Sequence, residues 1–569
     1  PYPIATEAFA RIFGGTPERR ALHGKLLDFR QILICIFAFN LLPLALMAQN
    51  QEPQYDIVIR NGRVLDGGGN PWILADVGIT DGKFVRIGRI EGKGKQEIDA
   101  RGKYVSPGWI DVMDQSGYVL QQNGLAENKL MMGVTTAIGG EGGTPVPADK
   151  IGEYFADLEK KGISINFGSY YSETQARAAI LGQNEGGQKA EQLEKMKALM
   201  ETAMKNGAMG MTTALIYPPS SYAKTDELIE MAKVAGKYGG IYASHIRGEG
   251  KELVQSVEEA IEIGEKGGLP VEVFHLKAAY QPGWGTLMKA AGEKIEAARM
   301  RGVDVAADLY LYTAGGTGLE ATIPSWAFDG GKEKLLERLK DPKIRARLKE
   351  EQKTSSPGWW NIIEAAGGWD GIILANAQNK DNAKYQGKSI TAIAKELNKE
   401  PADVAFDLVA QGTGRVTAIY FMMSETDIET ALKFPWTSIG SDAGAALKPS
   451  EGDAIGLSHP RAYGNFPRLI AKYVRERKVL TLPEAIRKMT SWAATRMRIQ
   501  GRGVIKAGAW ADVVIFDYDK IQDNATYEKP LLSPSGIDYV LVNGQVVIEN
   551  GKHTGARPGK VIYGQGFQK

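Results

Sequence analysis

Two short stretches decide the fold: Gly240-Ile-Tyr-Ala-Ser-His245 and Pro270-Val-Glu-Val-Phe-His275. Each is an apolar run of strand length that ends in histidine. The histidines lie thirty residues apart, about one strand–helix unit. The intervening segment 252–266 has helical spacing. Working outward, the alternation continues on both sides. Strand-like runs are read at 105–112, 135–139, 164–168, 209–215, 303–308 and 437–442, with helices such as 192–206 and 225–238 among them. Alternation at this scale predicts parallel strands in βαβ units. With the first two runs there are eight, which fits an α/β fold, a closed (β/α)8 TIM-like barrel. The pattern alone also admits a doubly wound open sheet. The barrel is predicted over 107–499, with an insertion around 330–420 that contains Trp359-Trp360 and lies over its mouth.

Beyond these runs the texture changes. Residues 55–106 read as short strands, with turn signals at Asn61-Gly62 and Asp81-Gly82. The segment 500–569 has the same texture, with signals at Asn543-Gly544 and Asn550-Gly551. Such pairs accept positive φ and mark hairpins. The two ends are expected to pair into one small β-sandwich domain with the barrel inserted between them.

The first 48 residues form a third region. Lys25 and Arg30 precede an apolar run from Ile32 to Met47, and Ala48 closes it before a polar stretch. The layout is that of a cleaved signal peptide. A membrane anchor is the alternative, but the run is short and holds Asn40 and Pro43. A periplasmic or secreted product without a stable span is therefore expected. The only cysteine, Cys35, lies in this segment. The mature chain would then have no thiolate nucleophile, no disulfide and no cysteine-held zinc. The net charge of +2 comes with no basic stripe, which excludes a nucleic-acid partner on electrostatic grounds. Gly387-Lys388-Ser389 lacks the upstream glycine of a phosphate loop, and there is no Gly-x-Ser-x-Gly elbow. Nothing in the composition opposes a homo-oligomer.

Histidine is scarce, at five residues. The ends of adjacent barrel strands meet at the active-site face, so His245 and His275 are placed to share a divalent metal such as zinc. Two buried, hydrogen-bonded core histidines would be the bland alternative. Glu141, set in Gly139-Gly-Glu-Gly-Gly143, is the candidate third ligand, or else a solvated turn residue. Asp442, at the end of the eighth run, is the candidate general acid/base. It would take a proton from metal-activated water, whose pKa falls toward about 7, and pass it to a leaving amine. Capping the next helix is its other role.

These residues bring a family into view. The chain resembles the amidohydrolase superfamily, and within it the N-acyl-D-amino-acid deacylase (D-aminoacylase) group, from about Tyr55 to Lys560. The stretches that carry the likeness include Val105-Ser-Pro-Gly-Trp-Ile-Asp, Gly133-Val-Thr-Thr, Ser244-His-Ile-Arg-Gly-Glu, His275-Leu-Lys-Ala-Ala, Tyr312-Thr-Ala-Gly-Gly-Thr-Gly-Leu, Gly440-Ser-Asp442 and His459-Pro-Arg-Ala-Tyr-Gly. The resemblance implies a zinc-bearing barrel with a small β-sandwich, and hydrolysis of an N-acyl D-amino acid. It matches His245 and His275 to metal ligands and Asp442 to the catalytic aspartate, and it puts Glu141 where the group has a cysteine. Lys277, Arg461 and Tyr312 fall in segments that contact substrate, and either cation could hold a carboxylate. For Lys277 the alternative is surface solvation, for Arg461 a structural ion pair.

One departure matters. The family's first strand ends in His-x-His. Here Met113 and Gln115 occupy those places, and both are weak partners for zinc. One Zn2+ held by Glu141, His245 and His275 is the expected centre. The function predicted is metal-dependent hydrolysis of a linear amide, in an N-acyl amino acid or small peptide. A catalytically inactive binding protein on the same fold is the alternative, and an isomerase or lyase using the same groups is a third.

Overall fold

The computed structural model describes residues 54–354, 359–446 and 458–568. The predicted signal segment lies outside them. No helix among the described residues is long and apolar enough to cross a membrane.

Eight parallel strands occur in the predicted order. We number them β1 (Trp109–Asp114), β2 (Val134–Gly139), β3 (Asn166–Ser169), β4 (Gly210–Ala214), β5 (Ile241–His245), β6 (Val271–Val273), β7 (Val305–Leu309) and β8 (Thr437–Ile439). Their ladders form two sheets. One is β1-β2-β3, and the other runs from Tyr171–Ser172 through β4, β5, β6 and β7 to β8. Neighbours follow chain order without the reversal that a doubly wound sheet requires. Backbone bonds cross both seams. Met209 N–H donates to Ser169 O at 2.9 Å, and Asp442 N–H donates to Met113 O at 2.9 Å.

Every residue of β5, β6 and β7 is buried, as expected for parallel strands covered on both faces. The helix Leu253–Gly267 covers this region. Its buried Leu253, Val257, Ala260, Ile261 and Gly264 make one stripe of 3.6-residue period. Gly264 is there for contact: a Cβ would come within 1.9 Å of the Val271 side chain. The helix stops at Gly268, whose φ of +70° is a left-handed cap. At the base of β6, Arg496 pairs with buried Glu272 at 2.9 Å and donates to Val271 O at 2.7 Å.

The ends of the chain pair with each other in one nine-stranded sheet. Tyr104–Pro107 is the joint, parallel to Tyr55–Val64 and antiparallel to Val513–Phe516. Ile59, Val77, Phe84, Val105, Val513 and Ile515 share its apolar core. Two sequence readings need correction. The run 105–112 is not one strand. Pro107 has no N–H to continue a ladder, Gly108 N–H turns to Asp512 O at 2.8 Å, and β1 starts afresh at Trp109. Asn61-Gly62 is not a hairpin turn either. Asn61 takes φ +59°, but inside a continuous strand, where the pairing shifts register as a bulge. Asp81-Gly82 and Asn543-Gly544 do turn hairpins.

The insertion carries Ile372–Asn376 and Thr417–Phe421, which form a three-stranded antiparallel sheet with Ala314–Gly318. It has its own apolar cluster, including Ile362, Ile390, Phe406 and Tyr420.

A buried carboxylate gives the fold a testable pH response. Glu173 accepts from Ser220 Oγ at 2.9 Å and lies near the Arg177–Glu227 ion pair, itself 2.7 Å long. Burial, then the Glu227 charge, push Glu173 up to about 8 from an ordinary 4.5. A raised folded-state value favours the native state at low pH. That contribution is lost as pH rises from ~4.5 through ~8. Thermal midpoints of the wild type and Glu173→Gln should therefore converge at low pH, with the wild type falling behind as pH rises from ~4.5 to ~8 and the gap levelling off above that. A gap independent of pH would contradict this.

Candidate metal centre

The site is built on the C-terminal ends of the parallel strands. His245 is the last residue of β5. Glu141 and His275 each lie two residues beyond β2 and β6, and Asp442 lies three beyond β8. Two of these residues have left-handed backbone, His275 at φ +36° and Asp442 at φ +48°. Such conformations cost roughly 1–3 kcal/mol each away from glycine. Hydrogen bonds hold both in place. Asp308 Oδ1 accepts His275 N–H at 2.9 Å, and Met113 O accepts Asp442 N–H at 2.9 Å.

Glu141 Oε1 stands 2.9 Å from His245 Nδ1 and 3.2 Å from His275 Nε2. The imidazole rings meet edge to face with centroids 4.5 Å apart. The three ligand atoms lie within 4.8 Å of one another, and among the described residues no other group of His, Cys, Asp and Glu does so. A divalent cation fits this set. Two imidazole nitrogens and a carboxylate oxygen are zinc donors, and here they converge where protons alone would otherwise link them. Burial acts to raise the Glu141 carboxyl, yet the two imidazoles hold it well below the usual range.

Partners behind the ligands complete the centre. Gln115 Nε2 donates to Glu141 Oε2 at 2.7 Å. Glu249 lies on the other side of the imidazoles, 3.1 Å from His275 Nδ1 and 3.8 Å from His245 Nε2. Sequence reasoning missed Glu249, although its place four residues after His245 was a usable signal. Lys277 is buried, not solvated. Its ammonium pairs with Glu249 and sits 2.7 Å from His275 Nδ1. Burial and Lys277 press His275 down, but Glu249 and Glu141 carry it up to about 9.

Arg461 is buried beside Asp442, with Nη1 2.9 Å from Asp442 Oδ2. Its guanidinium also lies 4.6 Å from the centroid of the Tyr310 ring. The approach to Asp442 is an ion pair without hydrogen-bond alignment. Arg461 Nε and Nη1 thus have no hydrogen-bond acceptor among the described residues. His459, next in the motif, is structural: it lies 2.8 Å from Ala314 O and accepts Arg461 N–H, and burial keeps it neutral. Tyr312 is not brought to the site. Its ring packs on His459 and Arg468, and Tyr310 lines the cavity in its stead. Met113 lies in an apolar cluster with Ile138 and Phe274. Glu141, His245, Lys277, Asp442 and Arg461 all face one cavity of about 870 Å3, walled further out by Tyr217, Trp359 and Trp360.

A cluster of metal ligands at the mouth of parallel strands is the arrangement of the metal-dependent hydrolases. Comparison with known proteins makes this specific. The "Amidohydrolase family" model matches residues 406–548. D-aminoacylase of Alcaligenes xylosoxydans xylosoxydans is 30% identical over 543 residues, 91% of this chain and 99% of that protein. N-acyl-D-glutamate deacylase of the same organism is 29% identical over 90% of this chain and 97% of its own length. Among solved structures, N-acyl-D-glutamate deacylase from Bordetella bronchiseptica, in complex with zinc and a phosphonate mimic of the tetrahedral intermediate, superposes with a TM-score of 0.75. It is 29% identical, over 90% of this chain and 99% of that one. A D-aminoacylase structure described by its binuclear metal centre gives 0.74 at 29% identity, over 89% and 99%. The chain belongs to the D-aminoacylase family of amidohydrolases. It is an enzyme of carbon–nitrogen amide bonds.

Gln115 orients Glu141, and partners behind metal ligands commonly tune affinity by about 10–100-fold. Gln115→Ala should weaken zinc binding by ~10–100-fold with the circular dichroism spectrum unchanged, measured by competition with a chromophoric chelator. Unaltered affinity would remove Gln115 from the centre.

Proposed function

We propose that this protein hydrolyses the amide bond of N-acyl amino acids, with preference for the D series, at a single-zinc centre in a closed (β/α)8 barrel. The closed barrel is supported by the strand order and by the backbone bonds across both seams. The D preference is carried over from relatives named for D-amino-acid substrates. A single ion is supported by the strand that would supply further ligands. Met113 is packed in apolar surroundings, Gln115 is engaged by Glu141, and Asp114 is taken up by Lys129 at 2.6 Å and Ser116 Oγ at 2.8 Å.

Glu141, His245 and His275 would hold the zinc, which supplies Lewis acidity to the carbonyl and lowers the pKa of the attacking water. Asp442 accepts a proton from that water as its oxygen bonds to the acyl carbon. It returns the proton to nitrogen as the carbon–nitrogen bond breaks, releasing a carboxylic acid and a free amino acid. Arg461 stands 2.9 Å from Asp442 and has donors without a hydrogen-bond acceptor among the described residues, free for the substrate's carboxylate. Lys277 is committed to Glu249 and His275 on the metal side of the cavity. The observation that carries the reading is the buried Arg461 guanidinium with unpaired donors, 2.9 Å from the acid/base carboxylate in the cavity of the metal ligands. Export to the periplasm or beyond is part of the proposal and rests on the amino-terminal segment.

The test is a panel of N-acyl-D- and N-acyl-L-amino acids with zinc-loaded enzyme. Turnover of D substrates is expected, with Asp442→Asn lowering kcat by ~10²–10⁴-fold at unchanged zinc content. Full activity in Asp442→Asn, or no hydrolysis of any member, would overturn the reading.

A further inference from the structure

Beneath the catalytic face lies a second cluster of charges with no part in holding metal or substrate. Lys129 comes from the short helix Glu127–Met131, and its side chain is fully buried. The ammonium lies 2.9 Å from Asp111 Oδ2 and 2.6 Å from Asp114 Oδ2, both on β1 and equally buried. It also donates to Ser441 Oγ at 2.8 Å and to the carbonyl of Ala443. These last two residues flank Asp442. The same knot is tightened by Asp111 Oδ1, which accepts Ser441 N–H at 2.9 Å. Asn128, the preceding residue, accepts Ala446 N–H at 2.9 Å and donates to Gly444 O at 3.1 Å and Ala462 O at 2.9 Å. Ala462 adjoins Arg461.

We propose that Lys129 is a positioning residue for Asp442, acting as a fixed cation that clamps the loop after β8 onto the end of β1. The inference rests on Asp442 being the acid/base of the proposed reaction. Three physical points carry it. Asp442 sits at φ +48°, a conformation that persists only when its surroundings over-determine it. The residues on either side of Asp442 are the ones that Lys129 holds. And burying an ammonium with two carboxylates is a poor route to stability, since a well-packed apolar replacement is commonly neutral or better. What the cluster does accomplish is geometric: one charge binds two carboxylates from β1 and two oxygens from the loop after β8. Proton transfer needs its donor and acceptor within hydrogen-bond reach, so a loop free to relax by an ångström loses rate rather than affinity.

Lys129→Met tests this, with Ser441→Ala as a milder variant that removes one bond of the clamp while leaving the Lys129–Asp111–Asp114 pairs intact. Each is compared with wild type for zinc content, kcat and KM on the best N-acyl amino acid, and amide hydrogen exchange over 438–446. The expected result is one zinc per chain, kcat lower by ~100-fold in Lys129→Met and ~10-fold in Ser441→Ala, KM within about threefold of wild type, and faster exchange of the Asp442 loop in both. Wild-type kcat in a folded Lys129→Met, or unchanged exchange in Ser441→Ala, overturns the proposal. So does a rise in KM equal to the fall in kcat/KM, which would report lost binding. If Lys129→Met does not fold, Ser441→Ala decides. If the wild type hydrolyses nothing, the functional reading fails by itself, and the exchange measurement still decides whether Lys129 holds the loop.

Discussion

One carboxylate oxygen, Glu141 Oε1, lies between two imidazole nitrogens, and the rest of the site is arranged around that contact. It depends on a local break in regular structure. In the β5–β6 register Ser244 lies opposite Val273, so a continued pleat would put Phe274 alongside His245 and turn His275 to the other face. The ladder stops at Val273 instead. His275 turns to φ +36°, with its N–H on Asp308, and its ring comes back within 4.5 Å of His245. A buried carboxyl, pushed well above its usual range by burial first and Glu272 next, thus shapes the strand end that presents a ligand.

The electrostatics of the cavity follow from that geometry. Glu141 and Glu249 bracket the imidazoles, and Lys277 caps Glu249. Burial raises the carboxyl of Glu249, but Lys277 and both imidazoles hold it low. Charge is therefore held in place by buried partners, and preorganised groups count for more there than in solution. Arg461 and Asp442 form a second pair a short way off. That pair lines the same cavity as Glu141, His245 and His275.

Much of this was legible in the sequence because it follows short-range rules. Apolar runs of strand length pointed to the parallel strands, and histidine at the ends of two neighbours pointed to the pair that meets Glu141. The turn glycines at Asp81-Gly82 and Asn543-Gly544 marked real hairpins. Other features depend on tertiary context. Asn61-Gly62 carries the same local signal but sits in a strand with partners on both sides, so it bulges. Tyr310 and Tyr312 differ only in which way the chain leaves β7, and no pattern near them states that. Gln115 reads as a lost metal ligand until Glu141 is found at 2.7 Å. Lys129 reads as an ordinary helix lysine, because its partners on the far loop, Ser441 and Ala443, come from more than three hundred positions away.

The central claim is that one cation sits on Glu141, His245 and His275. Anomalous X-ray diffraction at the zinc edge from crystals of the zinc-loaded protein tests it most directly. The account predicts one strong peak about 2.0–2.2 Å from Glu141 Oε1, His245 Nδ1 and His275 Nε2. A peak of equal strength between Asp442 and the end of β1, or none at the three ligands, would contradict it.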